Sequence, residues 1–332
     1  MSEPQMTIEK QRIPKRLAER FTNLSAEAEQ HVVAALKEHY FPRQIWGQVA
    51  MTADDWLRTE EGLQDLRDHT TRRLTVFRTK VVPWLDDAKQ LNGSKVLEIG
   101  CGTGASTVAL AEQGAQVTAV DIDDESLRVA QARMDAHGLK CEFIKGNGAD
   151  IWQALHARNF DFVIFFACLE HMTYDERLRA MSSSWNQLRP GALWCSIETP
   201  NRLWFYDDHT SRLNFFNWLP DELAFDYSKF SAREPFRSAY RERTPQAFES
   251  FLRHGRGVSY HEFDLAIGNA AQLDVVSCLH LRLRKPGFLG WRDLKRLRKP
   301  KGQFEHLIAR LRPDLHRGFF LPYLDLIIRK SA

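Results

Sequence analysis

Residues 95–106 read KVLEIGCGTGAS, and this stretch decides the fold class. Its apolar first half predicts a buried strand, and the glycines that follow predict a tight turn into a helix. Strand-like and helix-like segments then alternate, with short connections, as far as residue 198. The predicted strands are 95–99, 116–121, 141–144, 160–166 and 192–198, and the predicted helices are 107–113, 123–136 and 174–188. Apolar strands that alternate with helices indicate a parallel α/β sheet covered on both faces.

The region before this alternation has a different character. Residues 1–92 contain no strand-like segment and are predicted to form a helical N-terminal arm or cap. Helical spacing of apolar residues is found over 15–40 and 53–91. Pro83 is expected to end or kink the second of these helices, because proline lacks the N–H that a helix interior needs.

The region after the fifth predicted strand interrupts the pattern twice. Residues 93–332 are therefore predicted to be one domain with a lid insertion at 199–258 and a basic insertion at 282–317. Between the insertions, SYHE at 259–262 is a capping box, which predicts the start of a helix. The last two predicted strands are 273–281 and 319–328.

Composition excludes several classes of protein. The 332 residues are 43% hydrophobic and 27% charged, and the net charge of +3 is too small to indicate binding to DNA. The five cysteines form no C-x-x-C pair, which favours reduced thiols in a cytoplasmic protein. The longest apolar run, 162–169, is far too short to span a membrane, and the polar start MSEPQMTIEKQR does not resemble a signal peptide.

The glycine turn is compatible with two kinds of cofactor site. The segment from Gly100 to Ala105 satisfies the loose dinucleotide pattern G-x-G-x-x-A, which is weak evidence alone. However, Glu98 precedes the turn, and a carboxylate beside a pyrophosphate would repel it. S-adenosylmethionine carries a sulfonium and an ammonium group instead, so it tolerates a nearby acid. Asp121, at the end of the second strand, is expected to accept both ribose hydroxyls; the alternative is an N-cap for the next helix.

Four motifs together resemble a known family. VLEIGCGTG at 96–104, the TAVD acid, FDFVIF…LEHM from residue 160 and LRPGAL from residue 188 have the order and spacing of class I S-adenosylmethionine-dependent methyltransferases. The LEH triplet makes the chain most similar to the small-molecule branch that includes the ubiquinone-biosynthesis O-methyltransferases. The resemblance covers about 94–200 and the last two strands. It implies a Rossmann-like seven-stranded sheet whose last strand is antiparallel.

The resemblance assigns the cofactor to the ends of the first four strands. The family often has Gly-Asp-Ala after strand three, where the acid contacts adenine, but this chain has Gly-Asn-Gly at 146–148. Asn147 has a carbonyl oxygen that can accept a hydrogen bond, and Asp150 is a competing candidate. The residues expected to bind S-adenosylmethionine are Glu98, Gly100, Cys101, Gly102, Gly104, Asp121, Ile122, Asn147, Gly148, Ala149 and Phe166.

Methyl transfer to a hydroxyl is helped by a base, by about 10²–10⁴-fold. His171 is the first candidate, because it follows the fourth strand at the edge where open sheets bind ligands. The alternative is that His171 caps a helix or lines the methionine end of the cofactor site. His209 and Glu198 are rival bases. No spacing typical of metal ligands is found, so no metal is predicted.

The segment that leaves the fifth strand is rich in aromatic residues. Residues 198–220 read ETPNRLWFYDDHTSRLNFFNWLP, with six aromatics among 23 residues. This composition predicts a substrate lid with a few polar groups in a mainly apolar pocket. The alternative is that the aromatics pack on the helical arm or on a dimer mate. The predicted substrate-binding residues are Asn201, Arg202, Trp204, Tyr206, Asp208 and Arg212.

These patterns predict a methyltransferase that acts on an oxygen, a hydroxyl or carboxylate, of a small molecule or sugar, with an anionic acceptor as one option. The segment 282–301 has nine basic residues and one acid, which indicates either an anionic partner or a solvated basic helix. An RNA methyltransferase is therefore an alternative, although no N-P-P-Y-type motif supports it. A cofactor-binding module without catalysis is another.

Overall fold

The sheet of this protein contains seven strands. The computed structural model describes residues 13–41, 52–156, 158–284 and 299–331. The strands are β1 Lys95–Ile99, β2 Gln116–Asp121, β3 Glu142–Lys145, β4 Phe162–Phe166, β5 Leu193–Ile197, β6 Asp274–Cys278 and β7 Leu326–Arg329. Their order is β3-β2-β1-β4-β5-β7-β6.

The pairing confirms the predicted fold class. Strands β1 to β5 pair in parallel, and β7 pairs antiparallel with both β5 and β6. The sheet is therefore the Rossmann-like α/β sheet with an antiparallel last strand. The chain order reverses between β1 and β4, and open sheets bind their ligands beyond the carboxyl ends of the strands at such a point.

The N-terminal arm is helical, as predicted, but its second helical segment does not end at Pro83. The α-helices are α1 Lys15–Ala18, α2 Ala26–Ala35, α3 Ala53–Trp56, α4 Glu60–Arg67, α5 Arg73–Val76 and α6 Val82–Ala88. Short π-helical turns at 68–72 and 77–81 join α4, α5 and α6 into one run. The N–H of Val82 reaches back five residues to Phe77, so Pro83 falls in the first turn of a new α-helical segment, where its missing N–H is tolerated.

The remaining helices follow the strands and the lid. They are α7 Ala105–Ala111, α8 Asp124–Ala136, α9 Trp152–Leu155, α10 Tyr174–Gln187, α11 Asp221–Tyr227, α12 Glu234–Ala239, α13 Pro245–Leu252, α14 Tyr260–Ala266, α15 Leu279–Arg282 and α16 Pro300–Leu311. The capping box predicted at Ser259 and Glu262 is present and begins α14. A second capping box, Thr173 with Glu176, begins α10.

The last two strands are shorter than the sequence predicts. After Cys278 the chain forms the helical turn α15, although 273–281 was predicted to be extended throughout. Residues 317–320 form a 3₁₀ turn, and only the end of the predicted strand 319–328 lies in the sheet. Short apolar runs fit a buried helical turn as well as a strand, so apolarity alone does not place the boundary.

The two faces of the sheet pack against different parts of the chain. On β1, Val96 faces a cluster that contains Phe77 and Trp84 of the arm. Leu97 faces the opposite cluster, which contains Phe263 of α14. Side chains alternate along a strand, so one strand serves both cores. The arm is thus part of the hydrophobic core, and the Trp84 indole Nε1–H donates to Ser277 Oγ of β6 at 2.8 Å.

The lid insertion has a small core of its own. Helices α11, α12 and α13 bury the aromatic side chains Phe225, Phe236 and Phe251 around Phe216. Its first aromatics pack elsewhere: Trp204 lies 5.4 Å, between ring centroids, from Phe304 of α16. Among the described residues, no helix has both the length and the hydrophobicity to span a bilayer.

Candidate active site

A cavity of about 330 Å³ lies at the carboxyl ends of the central strands. It is lined by the loops after β1, β2, β3, β4 and β5, and one side is formed by the N-terminal arm. This is the place where the reversal of strand order predicts a ligand site.

The glycine loop forms the floor of this cavity. Gly100, Gly102 and Gly104 have φ angles of +81°, +50° and +80°, which glycine adopts without strain. A Cβ on Gly100 would stand 2.5 Å from the Cβ of Cys168, whereas a Cβ on Gly102 would meet nothing within 4 Å. Gly100 therefore permits close packing of two loops, and Gly102 leaves backbone open to a ligand.

Asp121 joins the end of β2 to this loop. Its carboxylate oxygens accept hydrogen bonds from the backbone N–H groups of Gly102, at 2.8 Å, and of Asp123, at 3.0 Å. The N-cap of α8 is Asp123, so Asp121 does not have the alternative capping role. Asp121 also lines the cavity, where it is placed as the ribose-binding prediction requires.

Glu98 does not line the cavity. Because side chains alternate along β1, Glu98 points beneath the start of α7 and is fully buried there. It accepts hydrogen bonds from the hydroxyl groups of Ser106 and Thr107, the latter at 2.7 Å. Burial raises the pKa of Glu98 to about 7. Glu98 therefore does not face the cavity, where the predicted contact with the cofactor would require it to be. Its hydrogen bonds instead hold the helix that begins at the glycine loop.

The third loop supplies the far end of the cavity. Asn147 and Gly148 line it, and Asp150 instead forms an exposed ion pair with Arg179. The Asn147 side-chain oxygen accepts from the N–H of Ala149 at 2.9 Å, and its amide donates to Glu176 at 3.0 Å. The predicted cofactor residues that line the cavity are Gly100, Cys101, Gly102, Asp121, Ile122, Asn147, Gly148 and Phe166. Those that do not are Glu98, Gly104 and Ala149.

The arm contributes residues that the sequence analysis missed. Tyr40, His69, Arg73 and Phe77 all line the cavity. The ring Nδ1 of His69 lies 2.9 Å from the hydroxyl of Thr103 in the glycine loop. His69, Arg73 and Phe77 recur every four residues, so they share one helix face, and this spacing was the available signal.

Glu176 and Arg253 were also missed. Arg253, from the end of the lid, donates to the Glu176 carboxylate at 2.7 Å. Although desolvation opposes it, this hydrogen bond lowers the pKa of Glu176 to about 2. The pair connects the lid to α10 at the cavity wall, which no spacing in the sequence indicates.

Glu198 lines the cavity at the end of β5. Its φ of +56° is unusual for a residue other than glycine, and Ala167, at the end of β4, has φ +40°. The backbone N–H of Glu198 donates to the Asp325 carboxylate at 2.6 Å, which holds this conformation. Burial raises the pKa of Glu198, while the charge of Arg73 opposes the shift.

The other two predicted bases lie on either side of Glu170. The Nε2 atoms of His171 and His209 are each 3.9 Å from the same Glu170 carboxylate oxygen, and the two rings are 5.8 Å apart. Desolvation lowers the pKa of His171 and lowers that of His209 to about 3. His171 lines the cavity, and His209 lies behind it.

The six predicted substrate-binding residues do not line the cavity. Asn201 is buried and donates to the carbonyl oxygens of Phe319 and Leu321, both at 2.8 Å. After Pro200 the chain crosses to Tyr323 before β7, which carries the segment away from the cavity. Four of the others have partners elsewhere: Arg202 faces Asp221, Trp204 packs on Phe304, the Lys301 ammonium lies over the Tyr206 ring, and Asp208 accepts a hydrogen bond from Tyr323. The backbone of Arg212 is in the left-handed region, with φ +57°.

Most of the predicted basic segment 282–301 lies outside the described residues. Of its described arginines, Arg282 pairs with Asp87 and Arg284 pairs with Glu305 at 2.8 Å. Both ion pairs are within the chain, so these two arginines have intramolecular partners.

Comparison with known proteins identifies part of the chain. Residues 96–191 match the family model described as a methyltransferase domain. A ubiquinone biosynthesis O-methyltransferase of Azoarcus is 33% identical over 93 residues, which are 28% of this chain and 40% of that protein. The enzyme of the same name from Thiobacillus denitrificans is 30% identical over 119 residues, 36% of this chain and 50% of its own.

The chain thus spans only about half of these relatives, or less. Among solved structures, magnesium protoporphyrin IX methyltransferase from Synechocystis is 23% identical with a TM-score of 0.35, over 53% of this chain and 77% of its own. A score this low adds nothing to the sheet topology described above. Residues 96–191 are thus a methyltransferase domain, similar to those of the class I S-adenosylmethionine-dependent methyltransferases, whose cofactor is S-adenosylmethionine.

Proposed function

We propose that this protein transfers a methyl group from S-adenosylmethionine to an oxygen of a small molecule. The observation that carries the proposal is the placement of Glu198, a carboxylate with a raised pKa, in the same cavity as the glycine loop and Asp121. The names of the relatives, O-methyltransferases of ubiquinone biosynthesis, support oxygen as the acceptor atom and a small molecule as the substrate class.

The residues of the cavity suit a cationic cofactor. Asp121, Glu176 and Glu198 place carboxylates around it, which would repel a pyrophosphate but not a sulfonium or an ammonium group. Asp121 would accept the ribose hydroxyls, and the open backbone at Gly102 would permit close approach. Ile122 and Asn147 would bound the adenine, and Phe166 the methionine end. When bound, S-adenosylmethionine supplies an activated methyl group.

The protein's remaining task is to orient the acceptor and to remove its proton. Correct orientation of the two reactants can lower the free-energy barrier by about 7–11 kcal/mol. Glu198 is the proposed base, because burial brings its pKa closer to neutrality and the bond from its N–H to Asp325 fixes its position. The Nε2 atoms of His171 and His209 lie near Glu170 instead, so these rings are better placed to act together with that carboxylate.

The arm and the lid would close the site. Tyr40 and His69 approach from the arm, and Arg253 approaches from the lid. Exclusion of water strengthens electrostatic interactions inside a site and keeps water from competing with the acceptor for the activated methyl group. The arm residues that line the cavity support the proposal that the arm is a cap.

The test has two stages. Calorimetry should first show saturable binding of S-adenosylmethionine to the full chain. The protein is then incubated with cell extract and S-adenosylmethionine labelled in the methyl group, and the labelled species is isolated. Release of the labelled methyl by mild base indicates a carboxyl ester, and a methyl that resists base indicates an ether only if its NMR chemical shift shows attachment to oxygen.

Other outcomes would contradict the proposal. Label in RNA would favour the alternative that uses the basic insertion. Cofactor binding without transfer to any component of the extract would favour a binding module without catalysis. Failure to bind S-adenosylmethionine at all would contradict the proposed methyl transfer and both of these alternatives.

A further inference from the structure

Glu170, His171 and His209 form a compact group that the proposed methyl transfer leaves unexplained. One ligand atom from each lies within 4.8 Å of the other two. Glu170 is fully buried, His209 is half-buried, and 46% of the His171 side chain is exposed. His209 comes from the lid, whereas Glu170 and His171 belong to the 3₁₀ turn after β4.

The hydrogen bonds of the two rings fix their tautomers. His171 Nδ1 is 2.8 Å from the backbone oxygen of Arg253, which can only accept, so Nδ1 carries the proton. His209 Nδ1 is 2.9 Å from the hydroxyl of Thr210, which itself donates to the backbone oxygen of Gly255 at 3.2 Å. That hydroxyl has one proton, so it accepts from Nδ1 of His209. In a neutral imidazole the other nitrogen, Nε2, then holds a lone pair.

In the neutral form of each ring, the Nε2 lone pair lies 3.9 Å from the same oxygen of Glu170.

The buried carboxylate of Glu170 provides a second observation, independent of the spacing of the three side chains. Neither of its carboxylate oxygens has a hydrogen-bond partner among the described residues, although both are buried. Nearly all buried polar atoms have such a partner, because leaving one without it is costly. Arg177, the nearest cation acting on this carboxylate, is occupied by Leu169 and Glu262. Three acceptors thus converge with no donor between them, and such a group requires either a proton or a cation.

We propose that Glu170, His171 and His209 bind one divalent transition-metal ion, with Zn²⁺ as the best match. Two imidazole nitrogens and a carboxylate suit zinc and its neighbours, whereas Mg²⁺ and Ca²⁺ prefer oxygen ligands alone. In a tetrahedral zinc site, bond lengths near 2.0–2.1 Å place two ligand atoms about 3.3 Å apart. The observed 3.9 Å becomes compatible after small side-chain rotations.

The outer contacts of the group fit the same assignment. Metal-binding histidines donate their second N–H to a carbonyl, a carboxylate or water, and here the acceptors are the Arg253 carbonyl and the Thr210 hydroxyl. Three protein ligands leave one coordination position open. Because His171 also lines the cofactor cavity, that position would be available to water or to an oxygen of a bound small molecule.

Metal binding by the untagged full chain tests the proposal. The protein is stripped with a chelator, dialysed and titrated with ZnCl₂ in a calorimeter. We expect one Zn²⁺ per chain, and an affinity at least about tenfold weaker in Glu170→Gln and in His209→Gln. His156→Gln, which removes an exposed histidine outside the group, is the matched control and should bind like the wild type. Circular dichroism checks that each variant is folded.

Co²⁺ provides a second readout that does not depend on the buried Glu170 variant. Its visible absorption reports the ligands directly, and His171→Gln should change the spectrum while His156→Gln should not. The proposal is overturned if the wild type shows no saturable binding, which is the result expected if a proton on Glu170 fills the group instead. It is also overturned if all three ligand variants bind like the wild type. S-adenosylmethionine titrations of the same variants keep the result separate from the proposed function, because a metal-free variant that still binds the cofactor leaves that function standing.

Discussion

The two sides of the cavity that we propose for the cofactor and for the acceptor, called below the cofactor side and the acceptor side, are built in different ways. On the cofactor side, the glycine loop, Asp121 and Asn147 are each presented at the end of the strand that precedes them in the sequence. On the acceptor side, Glu198 and His171 meet Arg253 from the lid. The first kind of site is local in sequence, and the second requires the chain to fold back on itself.

The structural support of the two sides also differs. The cofactor side rests on the sheet and its two large cores. The lid has a separate small core of aromatic residues, and the Arg253–Glu176 ion pair joins its end to α10. We therefore expect changes on the two sides to have separable effects: on cofactor affinity for one, and on turnover or lid stability for the other.

Replacement of Glu198 by Gln should have the largest effect. The amide cannot accept the acceptor's proton, so turnover should fall by about 10²–10⁴-fold, whereas affinity for S-adenosylmethionine should change little. Turnover is measured with the acceptor identified by labelling, and affinity by calorimetry. Glu222→Gln, an exposed position in the lid, is the control. Wild-type turnover in Glu198→Gln, with a large loss in His171→Gln, would show that the base is the histidine.

Replacement of Phe236 by Ala should destabilise the lid by about 3–5 kcal/mol, because the side chain is fully buried among aromatic residues. Since the lid has its own core, the loss should appear as faster proteolysis within 199–258 and leave cofactor affinity nearly unchanged. The matched control is Phe230→Ala, where the same group is 58% exposed. A clear loss of affinity for S-adenosylmethionine in Phe236→Ala, with none in Phe230→Ala, would mean that the two sides are not separable.

The same contrast explains what the sequence could predict. The positions of the first five strands follow from local patterns of apolar residues and turns, and the glycine loop at the cavity follows from its three glycines, which adopt positive φ. The spacing of His69, Arg73 and Phe77 indicates a shared helix face, but neither their approach to the cavity nor the Glu170 group follows from local patterns, because both depend on tertiary packing. The six residues proposed for the acceptor lie close in sequence to Glu198, but the turn at Pro200 separates them from it in space.

Replacement of Asp121 by Ala should weaken S-adenosylmethionine binding by about 10- to 100-fold. A hydrogen bond to a charged group is worth about 1.5–3 kcal/mol, and the carboxylate also holds the Gly102 N–H. Calorimetry measures the affinity. Asp150→Ala is the control and also tests the competing adenine residue, since Asp150 is exposed and paired with Arg179. Weaker binding in Asp150→Ala but not in Asp121→Ala would reverse the assignment.

The arm offers the smallest effect, because a buried polar network holds it in place in addition to the hydrophobic core that it shares with the sheet. Thr22 donates to Glu112 at 2.6 Å and accepts from His137 Nδ1 at 2.5 Å, and Arg78 also binds Glu112. Desolvation lowers the pKa of His137 from 6.5 to about 4. The folded state therefore binds fewer protons than the unfolded state between these two values. The stability associated with neutral His137 is complete above pH 6.5 and is lost as the pH falls toward 4.

Urea unfolding across that pH window tests this dependence. In His137→Gln the decrease in unfolding free energy between pH 6.5 and about 4 should be smaller than in the wild type, because one titrating group is gone. The exposed His156→Gln should keep the wild-type slope. An unchanged slope in His137→Gln would mean that His137 is protonated in the folded state. In that case the contact between His137 and Glu112, 3.8 Å apart, is an ion pair within the polar network that Thr22 and Arg78 of the arm join.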